Sequence, residues 1–184
     1  MSPRFLYNIL IIVIILFSGN NRANEDRWIL VDTSAHTLSV FQGRNLERFY
    51  PRIALGRRGA ANGRQSGDGM TPTGEFRVAW INRLSTFNIF LGLNFPNEEH
   101  TERAYQRHLI DIDTYYALRT SLSEGRVPPQ DTPLGGNIGI HGLGLADPSI
   151  HRKFDWTKGC VALTNDEIEQ LAQWVEVGTL VVIR

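Results

Sequence analysis

Short segments of alternating or β-branched residues, each closed by a turn signal, recur along most of this chain and commit it to a sheet. Residues 28–32 (WILVD) are short and rich in strand formers, and residues 37–42 (TLSVFQ) alternate, with Leu38 and Val40 on one face. Thr33 to His36 can turn the chain between them. Gln42-Gly43-Arg44-Asn45 reads as a second turn leading into residues 46–55, which gives the start of a β-meander. Residues 57–69 carry four glycines and several polar side chains, the composition of a mobile loop, and residues 74–81 (GEFRVAWI) alternate again. Towards the C-terminus, 138–141 and 161–163 read as short strands. Thr164-Asn165-Asp166-Glu167 fits a capping box, and Ile168, Leu171, Ala172 and Val175 follow at helical spacing. Gly178 is expected to stop that helix, and residues 179–183 (TLVVI) to form a buried closing strand. The reading is a mainly β fold with one C-terminal helix.

Residues 82–133 break this pattern. Asn94-Phe95-Pro96-Asn97 is a turn, residues 98–123 are polar with scattered aromatics and fit one or two helices, and Pro128, Pro129 and Pro133 return the chain to the sheet. A segment this long is expected to be an inserted, partly helical lid or substrate wall, or else a cover over one end of the sheet.

The chain has 184 residues, enough for one domain plus a targeting segment. Arg4 ahead of the unbroken apolar run 9–17 (ILIIVIILF) reads residues 1–23 as a signal peptide or signal anchor, with the domain at 24–184 outside the cytoplasm. Membrane contact is expected only through that segment. The formal net charge is zero and no basic stripe is interleaved with aromatics, which argues against a nucleic-acid partner. The five histidines form no HExxH motif or Cys/His cluster, so neither a metal nor a cofactor is expected.

Cys160 is the single cysteine. In an exported protein it cannot close an intramolecular disulfide, and it follows Gly159 at the start of a strand-like pair, on a tight turn. Such a turn exposes a side chain and leaves backbone N–H groups free to converge nearby. The competing reading is a small buried hydrophobe. His141, nineteen positions earlier, ends an apolar strand ahead of Gly142, which leaves room for another chain segment or a substrate. An imidazole can hold a thiolate for attack on a carbonyl. The remaining histidines, His36, His100, His108 and His151, are expected to be solvated.

Three motifs together, GDGMTPTGEF (67–76), GGNIGIHG (135–142) and TKGCV (157–161), resemble the L,D-transpeptidase catalytic domain, the YkuD family. The likeness runs from about residue 28 to residue 184. Residues 91–97 (LGLNFPN) and Asp155-Trp156-Thr157 look most like its YafK-type branch. The resemblance implies a β-sandwich or barrel-like catalytic domain acting on peptidoglycan stem peptides. It makes Cys160 the nucleophile and His141 the base, oriented by the Gly142 carbonyl. The Cys160 and Gly159 N–H groups would form the oxyanion site, with Thr157 supporting the turn. Trp156, Lys158 and Arg152 are candidate substrate contacts, and Arg57, Arg58, Arg64 and Arg83 are further candidates for a substrate carboxylate. The chain departs from the family pattern at Ala162, where many members carry arginine. A hydrolase that trims cross-links or releases a wall-linked protein, and a silent wall-binding module, stand as alternatives. A papain-type peptidase would need the cysteine ahead of the histidine.

Overall fold

Alternation near the start of the chain folds as read. In the computed structural model, which describes residues 27–184, β1 (Arg27–Asp32), β2 (Thr37–Gln42) and β3 (Asn45–Tyr50) form an antiparallel meander. The expected export segment, residues 1–23, lies outside the described residues. Ile29, Val31, Leu38 and Val40 are buried on one face, as period two requires. On the other face, Trp28 stacks on its register partner Phe41 with ring centroids 4.6 Å apart, and its Nε1 donates to the carbonyl of Gly43 in the β2–β3 turn.

The loop expected to be mobile is pinned at its centre. β4 (Ala60–Ala61) pairs in parallel with β5 (Thr71–Pro72), and the Asp68 carboxylate accepts from the N–H groups of Gln65 and Met70. β6 (Gly74–Ser85) then runs twelve residues and shifts register between Val78 and Trp80. Its first part pairs with the C-terminal strand β10 (Leu180–Ile183), and its second part with β7 (Asn88–Leu93). A bulged strand of this kind bends, and so carries the chain from one half of the sheet to the other.

Residues 82–133 therefore hold the end of β6 and all of β7 before they leave the sheet. The two helices that follow are α1 (Glu98–Gln106) and α2 (Ile112–Ser123), each opened by a side-chain cap, Asn97 and Asp111 respectively. They are joined by a Tyr105–Tyr115 stack at 4.5 Å. Next come β8 (Gly139–His141), α3 (Pro148–Lys153), β9 (Val161–Ala162) and α4 (Asn165–Leu171). α3 carries His151 and Arg152. Asp147 caps it and Pro148 opens it, a start signal carried by two residues only.

The capping box at Thr164 and Glu167 is present, but α4 ends at Leu171 rather than at Gly178. Gln173 and Trp174 donate to Gln170 and Leu171, the tighter i→i+3 bonds of a helix running out. Gly178, with φ 98°, instead donates to the Val78 carbonyl and steers the chain into β10.

Eight strands form one mixed sheet in the order β3-β2-β1-β10-β6-β7-β8-β9, with parallel pairs at β1–β10 and β8–β9. Residues 53–57 close it. Ile53 donates to the His36 carbonyl ahead of β2, and Ala54 exchanges both backbone bonds with Ala162 of β9. That stretch spans the far ends of the sheet and covers the β9 edge, bending the sheet towards a barrel. Phe76, Leu91, Ile140, Val161, Leu163, Ile168 and Val181 are fully buried inside, each contributing about 1.5–3 kcal/mol of burial.

Candidate active site

Register brings the two candidate reacting groups to one end of neighbouring strands. β8 and β9 run parallel, with Ile140 opposite Val161 and His141 opposite Ala162. Cys160 immediately precedes β9, so it lies two residues ahead of the residue facing His141. His141 is 2% exposed, and its Nδ1 lies 2.6 Å from the Gly142 carbonyl oxygen. A carbonyl only accepts, so Nδ1 carries the hydrogen and Nε2 keeps its lone pair. Burial holds the His141 pKa below the usual histidine value; the Gly142 bond opposes this and nearby His151 adds to it.

Three aromatic rings fix the imidazole. Phe87 lies 4.3 Å away, Phe90 6.1 Å in a stacked arrangement, and Trp156 5.9 Å edge-on. Gly142 is required here by close approach. A Cβ would meet Phe87 O at 2.7 Å and Asn165 Oδ1 and Ile168 Cγ2 at 2.8 Å, so the room beside it is taken by the β6–β7 turn and α4.

Cys160 is half-buried. Its Sγ donates to the Asn137 carbonyl at 3.4 Å, so in this resting arrangement the thiol faces the lead-in to β8. Burial pushes the thiol pKa up to about 11, against the opposing influence of the Gly139 backbone and the Arg64 charge. The resting thiol is therefore protonated at neutral pH and needs a base to become a nucleophile.

Thr157 holds the turn. Its hydroxyl donates to the Cys160 carbonyl at 2.7 Å and accepts from the Gly159 N–H at 3.0 Å. Its backbone is bound on both sides to the closing stretch, through Leu55 and Arg57. In this arrangement the Gly159 N–H, expected from the sequence as one of two free donors, is bonded to Thr157. Gly159 itself has φ 135°, and a Cβ there would meet the Met70 carbonyl at 2.7 Å. The GDGMTPTGEF motif thus lies directly under the cysteine turn, where Thr71 Oγ1 also accepts from the Gly56 N–H.

Of the remaining candidates, Trp156 packs on His141, whereas Lys158 and Arg152 are exposed, as are Arg57, Arg58 and Arg83. Asp155 anchors the lead-in by accepting from the Leu55 N–H and pairing with His36 at 2.9 Å. Two histidines expected in solvent are buried instead: His100 is 4% and His151 1% exposed. Each sits on a helix whose apolar contacts are too sparse in sequence to announce a buried face. Arg64, a candidate for a substrate carboxylate, is 5% exposed and lies beneath the cysteine turn; Phe87 and Phe90 were missed as neighbours of the site. The alternating residues 88–93 (NIFLGL) of β7 were the available signal for Phe90.

A profile of the L,D-transpeptidase catalytic domain, YkuD, matches residues 26–183. Among solved structures, the chain is similar to Bd1075 of Bdellovibrio bacteriovorus, at 20% identity over 90% of this chain and 50% of that one, TM-score 0.56. It is also similar to the helical cell shape determining protein Pgp2 of Campylobacter jejuni, at 19% identity over 87% of this chain and 48% of that one, TM-score 0.57. The chain thus spans about half the length of the solved structures it matches. Comparison with curated protein sequences gives no match. The family profile covers nearly every described residue, and the mixed sheet carries the three motifs to a single turn: the chain belongs to the YkuD family of L,D-transpeptidase catalytic domains.

Proposed function

We propose that this domain is an extracytoplasmic, peptidoglycan-modifying cysteine acyltransferase. The observation that supports it most is the hydrogen bond from His141 Nδ1 to the Gly142 carbonyl, which leaves Nε2 as a free base at the same strand end as the only thiol. In this reading Nε2 takes the Cys160 proton, and the thiolate attacks a carbonyl at an L-centre of a stem peptide, that of meso-diaminopimelate. The Cys160 N–H donates to the tetrahedral oxyanion. Collapse breaks the carbon–nitrogen bond, and the imidazolium returns the proton to the leaving amine. A thioester on Cys160 remains, and an acceptor amine attacks it after losing its proton to His141.

The reaction is tested by incubating the purified chain with muropeptides and, separately, with a carbapenem. A covalent mass adduct is expected on the parent chain and none on Cys160→Ala. An adduct that persists in Cys160→Ala removes the thiol from the mechanism. Cross-linked muropeptide products support an amine acceptor; products that are only trimmed replace it with water and make the domain a hydrolase.

A further inference from the structure

A buried cation lies under the cysteine turn, and the chemistry described so far does not use it. Arg64, between β4 and β5, is 5% exposed, a placement that arginine rarely takes unless its charge is matched. Here the match is incomplete. Asp68 Oδ1 lies 3.6 Å from Nε, beyond hydrogen-bond reach, and Nη2 makes only a 3.4 Å contact with the Gln65 carbonyl. Neither Nε nor Nη1 has a hydrogen-bond partner among the described residues. Phe95 supplies a ring face 5.4 Å from Cζ, which keeps water away on that side.

Two glycines border the guanidinium. A Cβ on Gly159 would stand 3.4 Å from Arg64 Cζ, and one on Gly135 would stand 3.5 Å from Nη2. Gly159 is the residue before Cys160, and Gly135 opens the stretch leading through Asn137 to β8. The charge is thus packed against the backbone that presents the thiol, where a favourable electrostatic interaction joins it to Cys160. Asp68 pairs with it from the same loop, His100, Arg103 and Arg107 line the same cavity from the helical side, and Lys158 on the turn is exposed.

We infer that Arg64 is a positioning residue for the nucleophile: from beneath the Gly159–Cys160 turn, its part-matched buried charge stabilises the thiolate formed when His141 Nε2 takes the proton. This rests on Cys160 being the reacting thiol. No bond to Arg64 forms or breaks, and the proton stays on His141 until the leaving amine takes it.

The test is the pH dependence of Cys160 alkylation by iodoacetamide in the full chain, with thermal melting recorded for each variant. Arg64→Met is expected to move the alkylation midpoint up by about one pH unit, and so to slow alkylation about tenfold at any pH below it. Arg64→Lys, which keeps the charge, should recover most of that rate. Asp68→Asn, which removes the opposing carboxylate and keeps an acceptor oxygen, should move the midpoint down. A folded Arg64→Met with an unchanged midpoint overturns the inference. If that variant fails to fold, Asp68→Asn decides alone, and an unchanged or raised midpoint overturns it. Alkylation reads the thiol directly, so an Arg64-dependent midpoint without any carbapenem adduct would fault the proposed reaction and leave this assignment standing.

Discussion

His100 in the helical segment and His141 in the sheet are alike in almost every local respect, yet only His141 lies at a strand end beside the cysteine turn. Both are buried, both sit among aromatic rings, and both place Nδ1 against an oxygen, Asn97 Oδ1 at 2.5 Å and Gly142 O at 2.6 Å. Burial lowers the pKa of both, that of His100 to about 4. The difference is what surrounds the ring. His100 is wedged between Phe76 and Phe95 and shares the Asn97 side chain that caps α1 and reaches the Glu75 carbonyl, so it fastens the helices to β6. His141 ends a strand whose parallel neighbour begins one residue after Cys160. A depressed histidine pKa therefore marks burial in this protein, and register decides which imidazole lies beside the thiol.

Exchanging the two roles should fail in opposite ways. His141→Gln is expected to lower acylation turnover at least about a hundredfold, with a melting temperature close to the parent; near-normal turnover in a folded variant would take His141 out of the mechanism. His100→Ala should cost about 2–4 kcal/mol of stability, measured by urea unfolding, because it opens a cavity and strips the contacts that hold α1. Acylation per folded molecule should change less than twofold in that variant, and a larger loss would mean the helices shape the site directly.

The comparison also carries a pH signature. Between about pH 6.5 and 4 the unfolded chain protonates His100 while the folded chain does not, so the unfolded state binds more protons. Stability is full above 6.5 and falls as pH is lowered through this window, by up to about 3 kcal/mol from this group. Melting curves across that range should show the decline, and a shallower one in His100→Ala. His141 shifts the same way, so the acid limb of kcat/KM should lie below the ordinary histidine value of about 6.5; a limb above it would contradict a buried neutral base. The smallest effect is expected from Thr157→Val, which removes a hydroxyl bonded to both Gly159 and Cys160. It should cost about 1–2 kcal/mol and slow acylation several-fold in single-turnover adduct formation.

How legible each feature was in sequence follows the range of the interaction behind it. The strands β1, β2 and β10 and the start of α4 rest on alternation and a capping box, signals contained within a few neighbouring residues. The length of β6 was not legible, because bulges interrupt its alternation past Val78. The burial of His100 and His151 was hidden for a related reason: both sit in polar segments whose buried face exists only once the helix docks. In the site, the tight turn at Gly159–Cys160 and the histidine at the end of the neighbouring strand could be named from sequence. The loss of the Gly159 N–H to Thr157 could not, since a backbone turn leaves no trace of which hydroxyl it satisfies.

By itself, the sequence determined that this is a mainly β domain of the YkuD family, with one thiol on a glycine turn and a histidine at a strand end. Those properties are carried by residue identity and local spacing. Only the tertiary structure decided that the GDGMTPTGEF motif lies under the cysteine, that aromatic rings from β7 and its preceding turn hold the imidazole, and that Arg64 is buried beside the turn. Each depends on backbone segments far apart in sequence packing to within a few ångströms, and such contacts are specified by the closed sheet as a whole.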